Sequence, residues 1–206
     1  MKVLLFNGSP RVSGCTFTAL SLIESELKAQ GIDAEILQAG NKPVQDCVAC
    51  GGCNGKGKCV MGDFINEWID LATEADGFVF GTPVYYAHPS GRILSIMDRM
   101  FYAGGHAFKQ KPAAVIASAR RGGTTASLDT IVKHLGISQM PIVSSSYWNM
   151  VHGNTPEETL RDLEGVQTMC NLAKNMAWLL KCIEAGKKSG ITAPNNETAV
   201  RTNFIR

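Results

Sequence analysis

The apolar positions of this chain change their period as the sequence runs, and each change marks an element. Residues 2–6 form a short apolar run that stops at the turn-forming Asn7-Gly8-Ser9-Pro10. From Thr16 the spacing becomes helical, with Phe17, Leu20, Ile23 and Leu27 three or four residues apart and Gly31 closing the run. Residues 33–37 read as a second strand and 40–62 as a long loop rich in glycine and cysteine. Asp63 reads as the cap of a helix carrying Phe64, Trp68, Ile69 and Leu71. Residues 77–80 predict a third strand ending at Gly81-Thr82-Pro83, and helical spacing returns in Ile93, Ile96, Met97, Met100 and Phe101. A fourth strand is expected at 113–117, a loop at 118–124, a helix near 126–135 and a fifth strand at 141–144. A long amphipathic helix over 155–185 is expected to stop at Gly186. On it Cys170 and Cys182 fall among Met169, Leu172, Met176, Leu179 and Ile183, and read as core.

The strands lack a polar face, so they are expected to be buried on both sides, in a parallel sheet with helices on each face. Five strands alternating with five helices predict a doubly wound α/β domain over 1–186, with a cysteine-rich loop at 41–62 and a polar arm or tail at 187–206. In such folds ligands sit beyond the carboxyl ends of the strands. That singles out 7–16, 38–62, 82–91, 118–125 and 144–153.

Composition narrows the partners. The chain has 206 residues, 20 basic against 18 acidic, for a net charge of +2, too balanced for a nucleic-acid surface. No apolar run approaches the ~18 residues of a membrane span. Met1-Lys2 leads straight into a run too short for a signal-peptide core. A cytoplasmic protein is expected, and its seven cysteines are then not structural disulfides.

The loop after the first strand reads Asn7-Gly8-Ser9-Pro10-Arg11-Val12-Ser13-Gly14-Cys15-Thr16 and opens a helix, where unpaired N–H groups and the dipole favour a phosphate. Ser9, Ser13 and Thr16 add hydroxyls, Arg11 a positive charge, and Gly8 and Gly14 allow close backbone approach. It is neither a Walker loop nor a Gly-x-Gly-x-x-Gly turn. These residues resemble the phosphate loop of NAD(P)H-dependent FMN reductases in the flavodoxin-like superfamily. The resemblance continues in Thr82-Pro83-Val84-Tyr85-Tyr86, in Asp98-Arg99 closing the next helix, and in Arg120–Gly123. One departure is Cys15, where that family often carries asparagine. The resemblance implies a three-layer sandwich with strand order 2-1-3-4-5, bound FMN, and NAD(P)H as co-substrate. It further implies that Pro83, Val84, Tyr85 and Tyr86 lie along the isoalloxazine, with Gly122 and Gly123 approaching its pyrimidine end. Arg120 or Arg121 would place positive charge there and raise the flavin's potential. A homodimer or homotetramer is also implied, with Asn203-Phe204-Ile205-Arg206 as a candidate anchor on a neighbour. Tyr147 and Trp148 suit core or interface packing as well as a flavin platform.

Cys47, Cys50, Cys53 and Cys59 fall within thirteen positions, where uniform scatter would leave fewer than one. Cys-x2-Cys-x2-Cys can wrap three corners of a 4Fe–4S cube, with a fourth thiolate closing the site. Zinc, which prefers two separated knuckles, a reactive thiol pair, and no ligand at all are the competing readings. The run resembles iron–sulfur flavoproteins, although cluster-free FMN reductases carry a similar loop.

The first functional expectation is therefore an oxidoreductase passing electrons from NAD(P)H through FMN to a quinone, flavin or protein acceptor. The second is an electron carrier relaying electrons between a cluster and FMN, with Lys56 and Lys58 steering an acidic partner. A phospho-acceptor receiver would need carboxylates where Thr82 and Asn7-Gly8-Ser9 stand. A cysteine phosphatase would need arginine where Ser21 stands, six residues after Cys15.

Overall fold

The computed structural model describes residues 1–204, so the candidate anchor at 203–206 lies partly outside them. Four long-range pairings build the sheet. β1 (Lys2–Asn7) pairs in parallel with β2 (Asp33–Gln38) on one side and with β3 (Gly77–Tyr85) on the other. β3 pairs in parallel with β5 (Ala113–Ala119), and β5 with β6 (Met150–His152). The order is β2-β1-β3-β5-β6, and this is the expected flavodoxin-like α/β class. It departs from the expected five-strand list because a two-residue strand, β4 (His88–Pro89), pairs antiparallel with the end of β3.

Side chains alternate across the sheet and feed two separate cores. Val3, Leu5, Val79 and Ile116 face α1 (Cys15–Ala29) and α6 (Leu163–Lys188), meeting Leu20, Ile23, Leu172 and Met176. Leu4, Phe6, Phe78 and Phe80 face α2 (Phe64–Glu74), α3 (Gly91–Gly104) and α4 (Thr124–Ile137). There Phe6 stacks on Phe80, ring centres 5.0 Å apart, and Trp68 closes on Phe6 at 5.3 Å. Each fully buried ring contributes about 1.5–3 kcal/mol.

Five expectations are corrected. β3 does not stop at Phe80 but runs through Gly81-Thr82-Pro83 to Tyr85, where the chain turns back into β4. Tyr86 and Ala87 at that turn both take positive φ, 51° and 61°, the backbone a two-residue primed hairpin requires. The fifth strand is interrupted. At 141–143 the chain makes one bridge, Ala113 with Ile142, then leaves the sheet at Ser144 and resumes pairing only at Met150. The excursion carries Tyr147 and Trp148, both exposed, and no change of hydrophobic period betrays a strand that pauses. The last helix is two: α5 (Pro156–Arg161) ends at Asp162, whose side chain then caps α6 by accepting from the Gly165 N–H. α6 runs past Gly186, and it turns Cys182 to solvent and leaves Cys170 half-buried, off the Met169–Leu172–Met176 face.

Among the described residues no helix is long and apolar enough to cross a membrane. Residues 191–204 take no regular structure and are exposed; within them Pro194 and Asn196 meet the body, where Gln110 Nε2 donates to the Pro194 carbonyl at 2.6 Å and Asn196 Nδ2 donates to Gln139 Oε1 at 2.7 Å.

Where α3 crosses α2, a Cβ on Gly104 would sit 2.5 Å from Ile69 Cγ2, a branched atom that cannot swing clear. Gly104→Ala is expected to cost about 1–3 kcal/mol of stability, measured by urea unfolding.

Candidate functional site

The three loops leaving β1, β3 and β5 meet at the carboxyl edge of the sheet. Gly8 N–H donates to the Gly81 carbonyl at 2.9 Å, and Ser90 Oγ donates to the Gly8 carbonyl at 3.0 Å. Gln38 Nε2 reaches the Ser9 carbonyl at 2.8 Å, so the end of β2 braces the same loop. Thr16 Oγ1 and Ser118 Oγ share a hydrogen bond of 2.7 Å, tying the first turn of α1 to the end of β5. Cys15 Sγ donates to the Gly153 carbonyl at 3.6 Å, which brings in the loop after β6.

Within this frame the predicted residues separate by exposure. Ser9, Gly14 and Thr16 are buried, Cys15 is half-buried, and Arg11 and Ser13 face solvent. Asn7 organises the bend: its Oδ1 accepts from Ser9 N–H at 3.0 Å, and Ser9 Oγ accepts from Arg11 N–H at 3.1 Å. Pro83 and Val84 are half-buried, Tyr85 is exposed, and Tyr86 stands wholly in solvent at the hairpin tip. Gly123 explains why glycine is needed opposite that hairpin. It has φ 95°, and a Cβ there would lie 2.5 Å from Ala87 Cα and 2.9 Å from Val84 Cγ1. Arg120, Arg121 and Gly122 are exposed beside it.

The starts of the helices divide along the same line. Asp63, Ser90, Thr155 and Asp162 cap α2, α3, α5 and α6 through their side chains. α1, preceded by Gly14, and α4, preceded by Gly123, have no side-chain cap, and both begin at this site. Their first N–H groups and positive dipole ends are thus presented to whatever lies between the loops.

The four clustered cysteines line a second feature, a cavity of about 150 Å³ shared with Tyr102 and Arg99. All four are free thiols. Among the described residues no group of three or more His, Cys, Asp or Glu is set to hold a single metal ion. Arg99 was the residue missed by the sequence reading as a functional candidate. It comes from the apolar face of α3, is 1% exposed, and sends two N–H bonds of 2.8 Å into Asp63. Its Nε points at Cys59 Sγ, 3.4 Å away, and its Nη1 reaches the Gln45 carbonyl at 3.2 Å. The available signal was a charge inside the run Ile96-Met97-Asp98-Arg99-Met100. Asn66 clasps Cys59 from the other side, accepting from its N–H and donating to its carbonyl, both at 2.8 Å. Burial raises the Asp63 carboxyl, but Arg99 outweighs it and holds the group below its ordinary range. A larger cavity of about 660 Å³ lies at the amino ends of the strands, beside Met1, Pro112 and Pro141, away from all these residues.

With this geometry in hand, the likeness to known proteins is specific. Residues 1–155 match the family described as NADPH-dependent FMN reductase. The chain belongs to that family. Within reach of the FMN reductase family lie curated relatives named iron-sulfur flavoprotein. One from Methanocaldococcus jannaschii is 29% identical over 192 residues, covering 89% of this chain and 100% of the relative. One from Archaeoglobus fulgidus is 32% identical over 147 residues, covering 69% and 72%. Among solved structures, an archaeal flavodoxin superposes with a TM-score of 0.60 at 14% identity, over 88% of this chain and 99% of that one. An NADH:FMN oxidoreductase superposes at 0.61 with 18% identity, over 86% and 89%. As a member of the FMN reductase family the protein is an FMN-dependent oxidoreductase.

The Asp63–Arg99 pair gives a pH test. The folded carboxyl lies below its ordinary value, near 3.9 in an unfolded chain. Its contribution is therefore complete above that value and lost as pH falls through the folded one. Asp63→Asn keeps the helix cap and is expected to lower stability at pH 7 by about 1–2 kcal/mol, less than a fully buried pair because the carboxylate is partly solvated. The difference from the parent should shrink steadily in urea unfolding as the pH falls below the ordinary carboxylate value.

Proposed function

We propose that the uncapped starts of α1 and α4 hold the two ends of FMN, and that NAD(P)H reduces it there. The observation that carries this reading is the pattern of caps: the two α-helices without a side-chain cap are the two that begin at the site. The N–H groups opening α1, with Ser9, Ser13, Gly14, Cys15 and Thr16 around them, bind the terminal phosphate. Cys15 contributes through its backbone, since its thiol is turned to Gly153. Arg11 adds charge from the solvent side. Pro83, Val84, Tyr85 and Tyr86 carry the ring edge on a hairpin made rigid by its own pairing, and Gly122 and Gly123 leave room at the pyrimidine end. Arg120, Arg121 and the positive end of α4 place charge where reduced flavin is anionic. Bound FMN itself supplies hydride acceptance and onward electron release. The protein's part is binding, orientation and electrostatics, so no acid–base dyad is required.

A second reading is carried by the cysteine cavity. Thiol number and type fit a 4Fe–4S centre on Cys47, Cys50, Cys53 and Cys59 better than zinc. Zinc prefers two separated cysteine knuckles, whereas the compact Cys-x2-Cys-x2-Cys run offers one thiolate to each of three irons of a cubane, with Cys59 for the fourth. The names of the relatives support the same choice. Such a centre would relay single electrons between FMN and a protein acceptor. The acceptor is a quinone, a free flavin or a protein, and the seven free cysteines suit a cytoplasmic setting. Exposed Tyr147 and Trp148 support a homodimer or homotetramer, checked by light scattering of the eluting protein.

Anaerobically purified protein is expected to show flavin absorbance that NADPH or NADH bleaches, with iron and acid-labile sulfide in equal amounts if the second centre is filled. Gly123→Ala should raise the Kd for FMN at least tenfold, about 1.4 kcal/mol, by pushing the hairpin out of place. An unchanged Kd in that variant would contradict the placement of the ring.

A further inference from the structure

We propose that Arg99 is the positioning residue of the cysteine centre, setting its reduction potential through the Cys59 sulfur; this rests on the reading of Cys47, Cys50, Cys53 and Cys59 as cluster ligands. Among the described residues Arg99 is the largest fully buried side chain, and a buried guanidinium needs its N–H groups placed. Asp63 takes two of them in a fork at 2.8 Å, which fixes the plane of the group. That plane directs Nε at Cys59 Sγ, 3.4 Å away, well within reach of an N–H···S bond. Nη1 holds the Gln45 carbonyl, two residues before Cys47. One side chain of α3 thus grips both ends of the cysteine loop and lines the cavity the four thiols share.

The chemical consequence follows from charge. Reduction adds an electron to a centre already ligated by thiolates, and hydrogen bonds to the sulfurs and nearby positive charge favour the reduced form. Arg99 supplies both, and Asp63 partly cancels the second. Lysine in its place would keep the charge while losing the directed Nε–H. Asparagine at 63 keeps the charge of the guanidinium, and its Oδ1 still accepts one of the two N–H bonds that orient it, while the carboxylate that neutralises it is removed. The two changes therefore act in opposite directions on the potential, although both break the same two-bond fork. A purely structural ion pair would move both variants the same way or neither.

The test is a redox titration with dithionite and oxidant, followed by electron paramagnetic resonance, on parent, Arg99→Lys and Asp63→Asn proteins purified anaerobically. Iron, sulfide and FMN content are measured on each. The expected result is a more negative midpoint for Arg99→Lys and a more positive one for Asp63→Asn, with FMN content unchanged. Equal midpoints in all three, or shifts of the same sign, would overturn the role of Arg99 while leaving the cluster reading standing. Should Arg99→Lys fold too poorly to hold FMN, Asp63→Asn decides alone: a positive shift supports the proposal and an unmoved midpoint overturns it. A parent protein that carries FMN but takes up neither iron nor sulfide on reconstitution would overturn the cluster reading itself, and the proposal with it.

Discussion

Helix α1 begins without a capping side chain for its first N–H groups, and the rest of the site is arranged around that start. Buried donors left unpaired cost about 1–3 kcal/mol each, so a helix start in a packed region ordinarily carries a capping side chain. Asp63, Ser90, Thr155 and Asp162 supply such a side chain at the starts of α2, α3, α5 and α6. At Gly14 and Gly123 the cap is withheld, which leaves both helix starts able to meet an anion or an electron-rich ring edge, as the proposed FMN site requires.

The sheet decides where those two helix starts lie. In a doubly wound sheet the connections from the first strand go to opposite sides, and a crevice opens outside the carboxyl ends where the order reverses. Here the crevice falls between β1 and β3, and short bonds keep its rim fixed: Gly8 to Gly81, Ser90 to Gly8, Thr16 to Ser118. Rigidity matters because the flavin does the chemistry and the protein contributes alignment, which errors of about 1 Å degrade. The two-residue turn at Tyr86 and Ala87 stores backbone strain at the same place, and Gly123 packs against it.

Much of this was legible in the chain because hydrophobic period reports burial directly. The strand at 2–6, the helix after Thr16 and the cap at Asp63 follow from local pattern, and local pattern is what those elements depend on. The misses have a different cause. The interrupted edge strand and the broken last helix are settled by long-range contacts: Ala113 and Ala117 pull two separated pieces into one edge, and Asp162 turns back to cap α6. The β3–β4 hairpin was hidden because Tyr-Ala is not turn chemistry; its positive φ values are imposed by the pairing around it. Arg99 was visible as a charge on an apolar face, but its partners are 36, 40 and 54 residues away, and spacing cannot reveal them.

The central claim is that the start of α1 binds a phosphate group, and the most direct measurement is a comparison of FMN with riboflavin, which differ only by that group. Titrated into flavin-free protein and followed by fluorescence quenching, FMN is expected to bind at least a hundredfold more tightly, about 2.7 kcal/mol. Equal affinities for the two, or no binding of FMN, would contradict the account.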